Sequence, residues 1–305
     1  MERSLRNRLT FGPIMLGGLF LLLWLDHMAQ QWTLGAYTDA RDQPRGIAGL
    51  GIVALLGIAL PGAVAELAQL FAAEHVRPYR VIAAAGCGAL IAHAFATQFP
   101  RFQPIAASTL AFIIVFVMLL SALRRALDRQ TQDAIVHMAG TVLATLYLGG
   151  LAWFLVALRV KGSPRVHGST ILILMILLCV KFTDIGAYFG GRAFGRRKLI
   201  PWLSPGKTWE GLAFGLLTAA AIGAACAPFI DERRGYALTW PKGAIFGAVI
   251  GGVGQLGDLL ESMMKRDAEV KDSGSSIPGF GGILDVTDSP LLAAPFAYLL
   301  FSLPF

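Results

Sequence analysis

Residues 169–192 read STILILMILLCVKFTDIGAYFGGR, and this stretch decides the fold. No charged side chain occurs from Ser169 to Val180; Lys181, Asp184 and Arg192 follow closely behind. A helix needs about 17–25 mostly apolar residues to cross a bilayer, and it satisfies its own backbone amides while doing so. The run at 169–190 therefore predicts a membrane-spanning helix that carries ionisable groups toward its C-terminal end.

Working outward, comparable apolar runs occupy 10–30, 47–72, 79–99, 105–123, 136–158, 211–230 and 243–260, and a shorter one covers 290–304. Together they predict an all-α, polytopic integral membrane protein with about nine transmembrane helices. Composition agrees. The 305 residues are 55% hydrophobic and 15% charged, with a mean hydropathy of +0.63, whereas a soluble domain carries roughly 25% charged residues. The net charge of +7 would suit nucleic acid in a soluble protein. Here the basic residues sit in short connectors beside apolar runs, which points to topology and anionic headgroups and excludes nucleic acid as partner. Cys87, Cys179 and Cys226 stand alone in apolar stretches, so neither a zinc site nor a disulfide framework is expected.

Arg3, Arg6 and Arg8 precede the first run, but no small-residue cleavage site follows it, so an uncleaved helix with a cytoplasmic N-terminus is expected. On that count Arg77 and Arg80, Arg124, Arg125 and Arg129, Arg192 to Lys198, and Lys265 to Lys271 lie inside. Asp26, Asp39, Asp42, Asp231 and Glu232 lie outside, and the connector with Arg159, Lys161 and Arg165 disagrees with the rule. The two most polar connectors, 191–210 and 261–289, then share the cytoplasmic side. Residues 1–168 read as scaffold helices and 169–305 as the region with the chemistry.

Two clusters carry that chemistry. In the first, Lys181, Asp184 and Tyr188 share one helix face. Ionisable groups at membrane depth usually face a protein interior or a wet cavity; the plain alternative is a Lys181–Asp184 pair. Arg192, Arg196, Arg197, Lys198 and Lys207 follow, a density of cations suited to phosphate oxygens. Gly206-Lys207-Thr208 imitates the end of a P-loop, but Pro201 stands where that motif needs glycine and no strand is expected before it. Ser204-Pro205 with Thr208 and Glu210 reads instead as the cap of the next helix. In the second cluster, Asp258, Glu261, Ser262 and Lys265 form one polar stripe leaving an apolar span. Lys265, Arg266 and Lys271 lie where they would neutralise phosphates. After the turn Pro278-Gly279-Phe280-Gly281-Gly282 come Asp285 and Asp288. The plain alternative here is a solvated loop with surface ion pairs.

The segments Asp184-Ile-Gly-Ala-Tyr, Ser204-Pro-Gly-Lys-Thr-Trp-Glu-Gly and Gly257-Asp-Leu-Leu-Glu-Ser-Met-Met-Lys-Arg through Lys271-Asp272 resemble the signature regions of the phosphatidate cytidylyltransferase family. The likeness covers roughly 180–300, and the N-terminal half agrees in character only. It implies transfer of CMP from CTP to phosphatidate, giving CDP-diacylglycerol and pyrophosphate. It also implies Mg²⁺, with room for a second cation, held by Asp258 and Asp285. Catalytic positions would be Asp258, Asp285, Lys265 and Lys207; substrate-binding positions would be Arg266, Lys271, Ser204, Asp184 and Asp288. The implied setting is the inner membrane with the site facing the cytoplasm, and a homodimer is compatible with it.

Two positions depart from the family pattern. Phe280 stands where histidine is usual and Val286 where arginine is usual. They leave open a divergent subgroup, a different lipid acid or a weakened enzyme. Competing readings are a related CTP-dependent lipid enzyme and a transporter, the latter disfavoured because no inverted repeat is evident.

Overall fold

A computed structural model of the chain describes residues 2–39, 42–129, 131–161, 168–230 and 238–302. Arg165, Asp231 and Glu232, used above to argue orientation, lie outside the described residues. Helices dominate: α1 (Glu2–Trp32), α2 (Leu50–Ala73), α3 (Arg80–Ala96), α4 (Ala106–Leu127), α5 (Ala134–Ala144), α6 (Leu151–Val160), α7 (Gly168–Phe194), α8 (Trp209–Cys226), α9 (Trp240–Asp267) and α10 (Leu284–Ser302). A π-helical turn at Thr145–Gly150 joins α5 to α6, so Ala134–Val160 is one continuous rod. Each of the nine apolar runs of the sequence coincides in the main with helix; the helix of the last begins at Leu284, earlier than expected, and residues 303 and 304 of that run lie outside the described residues. Pro61 is carried inside α2 without ending it.

Seven helical stretches among the described residues are long and apolar enough to cross a membrane, and α3 is a shorter apolar helix of 17 residues. The protein is an all-α, multi-pass membrane protein. Its only strands among the described residues form two antiparallel pairs, β1 (Tyr37–Thr38) with β2 (Pro44–Arg45), and β3 (Lys198–Ile200) with β4 (Ser204–Thr208).

The β3–β4 hairpin corrects one expectation. Gly206-Lys207-Thr208 does follow a strand, because Pro201 turns the chain and lets Lys198 pair with Thr208. A short, mixed segment such as Lys198–Ile200 gives no periodic signal of its own. The P-loop reading still fails, since Lys207 lies inside a strand and not in a loop cradling a helix start. Thr208 is the residue that caps α8, its Oγ1 accepting from Gly211 N at 3.0 Å.

The chain divides into two compact units, Met1–Val160 with Asp267–Val286, and Lys161–Arg266 with Thr287–Phe305. In the first, Arg159 is fully buried. Its Nε donates to Asp26 Oδ2 at 2.6 Å and its Nη1 to Gln30 Oε1 at 3.0 Å, while Asp26 Oδ1 accepts from Gly51 N at 2.8 Å. Arg159 is thus a core cation and not a connector charge, which is why it breaks the positive-inside count. Nearby, His93 Nδ1 accepts from Trp153 Nε1 at 2.9 Å while Nε2 lies 2.8 Å from Ala106 O. Those two contacts define a neutral ring that donates through Nε2.

In the second unit α7, α8 and α9 pack through small residues. Gly186 faces Thr218 and Gly215 faces Thr183, while Gly223 of α8 stands against the backbone at Gly243 and Gly247 of α9. A side chain at these glycines would run into the neighbouring helix, so the small residues set the close approach, as is common between membrane helices.

Breaking the Asp26–Arg159 pair should be costly because one buried charge would be left without its partner. Arg159→Met should lower stability by about 3–5 kcal/mol, whereas the Asp26→Asn/Arg159→Met pair should recover part of the loss. Denaturant unfolding in detergent would check this; equal losses in the single and double variants would contradict it.

Candidate functional site

The second unit contains a cavity of about 370 Å³, lined from α7 by Asp184 and Tyr188, from β4 by Gly206, Lys207 and Thr208, and from α9 by Gln255 and Asp258. Each element has a reason to be there. The hairpin carries Lys207 inward, Thr208 fixes the start of α8, and Gln255 and Asp258 lie one turn apart on α9. Across the cavity, Gln255 Nε2 donates to Asp184 Oδ1 at 2.6 Å. Lys207 Nζ lies 2.5 Å from Asp258 Oδ2 and 3.4 Å from Gln255 O. The short contact of Asp184 is therefore with Gln255, where the sequence also allowed a Lys181 pair.

Beside Lys207, Asp258 belongs to a second grouping. Asp258, Glu261 and Asp288 can bring one carboxylate oxygen each within 4.8 Å of one another, and Glu261 and Asp288 are buried at 1% and 3% exposure. Gly257 permits this grouping. A Cβ there would stand 3.0 Å from Ser289 Cα, so the missing side chain lets the α10 backbone approach α9. Glu261 pairs with Lys265 at 3.3 Å.

Three carboxylates so close repel one another, and the hard oxygen donors of Asp, Glu and Asp fit a hard divalent cation such as Mg²⁺. The residues present fit the metal that the resemblance implies. Lys207 pairs with Asp258 and Lys265 with Glu261, so two lysines lie beside the group.

The structure brings together Asp184, Lys207 and Asp258 at the cavity, and Asp258 with Asp288 in the carboxylate group. Ser204 opens β4 and is half-buried; Arg266 is exposed near the end of α9. Lys271 and Asp285 belong to the first unit. Lys271 is exposed there, while Asp285 Oδ2 accepts from Gly282 N at 2.7 Å, Ser273 Oγ at 3.0 Å and Ser273 N at 3.1 Å. Phe280, in place of the usual histidine, faces Gly12 of α1, where a Cβ would lie 3.4 Å from its Cζ.

Sequence reasoning missed Gln255 as a site residue, included Glu261 only as part of a stripe, and passed over Glu66. A glutamate inside the apolar helix α2 was a usable signal, since ionisable groups at such positions are functional candidates by default.

Comparison with known proteins gives the family. Residues 46–303 match the cytidylyltransferase family, and the chain belongs to that family. It is 44% identical over 130 residues to a phosphatidate cytidylyltransferase of Haemophilus influenzae, covering 43% of this chain and 45% of that protein. To the phosphatidate cytidylyltransferase of Bacillus subtilis it is 37% identical over 161 residues, covering 53% and 57%. To phosphatidate cytidylyltransferase 5, chloroplastic, of Arabidopsis thaliana it is 34% identical over 217 residues, covering 64% and 50%. The matched stretches thus span about half the length of these relatives.

The carboxylate group should bind a divalent cation in the absence of nucleotide. Titration of the purified protein with Mn²⁺, followed by electron paramagnetic resonance, should show a site that Asp288→Asn and Glu261→Gln each weaken by about tenfold or more. Unchanged Mn²⁺ affinity in both variants would remove the metal from this group.

Proposed function

We propose that this member of the cytidylyltransferase family transfers CMP from CTP to phosphatidate, releasing pyrophosphate and forming CDP-diacylglycerol in the membrane. The observation that carries the reading is the Lys207–Asp258 pair at the mouth of a cavity beside three grouped carboxylates. Cations and a metal seat placed together are what nucleotidyl transfer between two polyanions requires. The named relatives support the choice of lipid and nucleotide.

The attacking group is a phosphatidate phosphate oxygen, already ionised near neutral pH, so no strong general base is needed. What must be supplied is screening of like charge and a fixed in-line geometry at the α-phosphorus. Asp258, Glu261 and Asp288 would hold Mg²⁺, which when bound neutralises phosphate charge and favours departure of pyrophosphate. Asp285 stays a candidate metal ligand on the resemblance of its position in the family signature alone. Lys207, freed from Asp258 when a cation takes that carboxylate, would turn to the nucleotide phosphates. Lys265, Arg266 and Lys271 would add screening, and Ser204 and Asp184 would line the approach. Gln255 holds Asp184 in place.

The proposal places catalysis in 169–305 on a scaffold of 1–168. It puts the site on the cytoplasmic face of the inner membrane, where CTP is available and the lipid tails stay in the bilayer. The basic residues Arg192, Arg196, Arg197 and Lys198, and Lys265, Arg266 and Lys271, support this side through the positive-inside rule. A homodimer belongs to the same proposal.

Detergent-purified protein given labelled CTP, phosphatidate and Mg²⁺ should form lipid-linked CMP. Asp258→Asn should lower kcat by about a thousandfold or more while the protein stays folded, as expected when a metal carboxylate is lost. Lys265→Ala should chiefly raise KM for CTP, by roughly tenfold. Lipid-linked CMP formed at the wild-type rate by Asp258→Asn would refute the site, and no product with any lipid acid would refute the reaction.

A further inference from the structure

Glu66 lies in the C-terminal third of the apolar helix α2, is 5% exposed, and takes no part in the site described above. Its carboxylate accepts from four groups. Oε1 takes Ser276 Oγ–H at 2.6 Å and Ile283 N–H at 3.0 Å; Oε2 takes Leu284 N–H at 2.8 Å and, at a longer 3.5 Å, Ser273 Oγ. Ser273 has one hydroxyl proton and lies closer to Asp285 Oδ2, at 3.0 Å, so its proton belongs mainly to Asp285. The two backbone donors, Ile283 and Leu284, lead into α10. Glu66 thus satisfies donors that a helix start leaves open, and its charge sits at the favourable end of the helix dipole.

The glycines of the loop are shaped around this carboxylate. A Cβ at Gly274 would lie 2.6 Å from Glu66 Oε1, and one at Gly282 would lie 2.5 Å from Glu66 Oε2. Gly281 has φ +96°, and a Cβ there would lie 2.5 Å from Asp285 Oδ2. Side chains at these positions would displace the acids, so the loop composition and the two carboxylates form one arrangement. Three short hydrogen bonds and two glycines are thus arranged around this one buried glutamate.

We propose that Glu66 is a positioning residue for the nucleotidyl-transfer reaction, acting from the scaffold half of the sequence. It clamps loop 273–283 and the first turn of α10, the helix that bears Asp285 and, one turn on, Asp288. This rests on the reading under Proposed function. The chemistry of the clamp dictates the test. In Glu66→Gln one carboxylate oxygen becomes an NH₂ group, and whichever oxygen it is faces a backbone N–H that cannot reverse. Ser276 can turn its hydroxyl, but Ile283 and Leu284 cannot, so a near-isosteric change leaves at least one amide without an acceptor.

Two readouts are compared, hydrogen exchange at the amides of 282–285 and steady-state kinetics with CTP and phosphatidate. Glu66→Gln should speed exchange at Ile283 and Leu284 by about tenfold or more, leave α7 and α8 protected, and lower kcat by about tenfold with KM for CTP within about threefold. Ser276→Ala, which removes one donor and keeps both oxygens, should show the same pattern more weakly, and it carries the test if Glu66→Gln does not fold. Wild-type exchange in the variant would overturn the clamp. Faster exchange with unchanged kcat would overturn the positioning role. An inactive wild type would refute the reaction, and the exchange readout would still decide the clamp.

Discussion

An ionised side chain inside a body of apolar helices must find its partners within the protein, because water is scarce and the desolvation cost is several kcal/mol per ion. The sites of this protein differ in how far that demand is met. Asp26 and Arg159 balance one for one, with Gln30 and the Gly51 amide completing the set. Glu66 is held instead by hydroxyl and amide donors. Around the cavity the balance changes. Its lining holds two acids, Asp184 and Asp258, against one lysine, Lys207, and Asp258 is shared with the group that contains Glu261 and Asp288. A residual negative charge concentrated in a cavity attracts a cation, and lysines beside it receive anions. That imbalance separates a binding site from a structural pair.

Close approach of helices makes the imbalance possible. Gly257 lets α10 settle against α9 and so brings Asp288 to Asp258 and Glu261. Gly215, Gly223, Gly243 and Gly247 do the same for α7, α8 and α9, whose ends carry Asp184, Lys207 through its hairpin, and Asp258. In a membrane the hydrophobic effect contributes little to helix association, so packing of small residues has to provide it. The glycines of these helices therefore serve the site through the fold.

Much of this was legible beforehand. The apolar runs found each α-helix among the described residues because a spanning segment must be long and uncharged, and the polar residues stood out against them. Asp258 and Lys207 were legible for the same reason. What escaped is non-local. The link from Glu66 to Ile283 and Leu284 joins positions more than 200 apart, and no periodicity encodes it. Glu261 was seen on the polar stripe, but its meeting with Asp288 depends on how α9 and α10 pack. The β3–β4 hairpin escaped because strands of three and five residues, with Pro201 between them and Pro205 inside the second, give no alternation to read. Arg159 misled because a cation at a helix end looks like a connector charge until its buried partner is known.

The two departures from the family pattern can be weighed in the same terms. The loop that contains Phe280 is held by carboxylate-to-donor bonds from Glu66 and Asp285 to residues 273, 276 and 282–284, none of which uses the side chain at 280. Its turn comes from Gly279 and Gly281, both at positive φ, and from the Ile277–Gly281 bridge. Replacing a histidine by phenylalanine therefore removes a polar ring without removing a support of the loop, and the ring present lies toward Gly12 of α1. Val286 sits in the first turn of α10, where its amide bonds Ile283 O at 3.2 Å. An arginine there would have added a cation to that turn. The hydrogen bonds that hold the loop are thus independent of both substitutions.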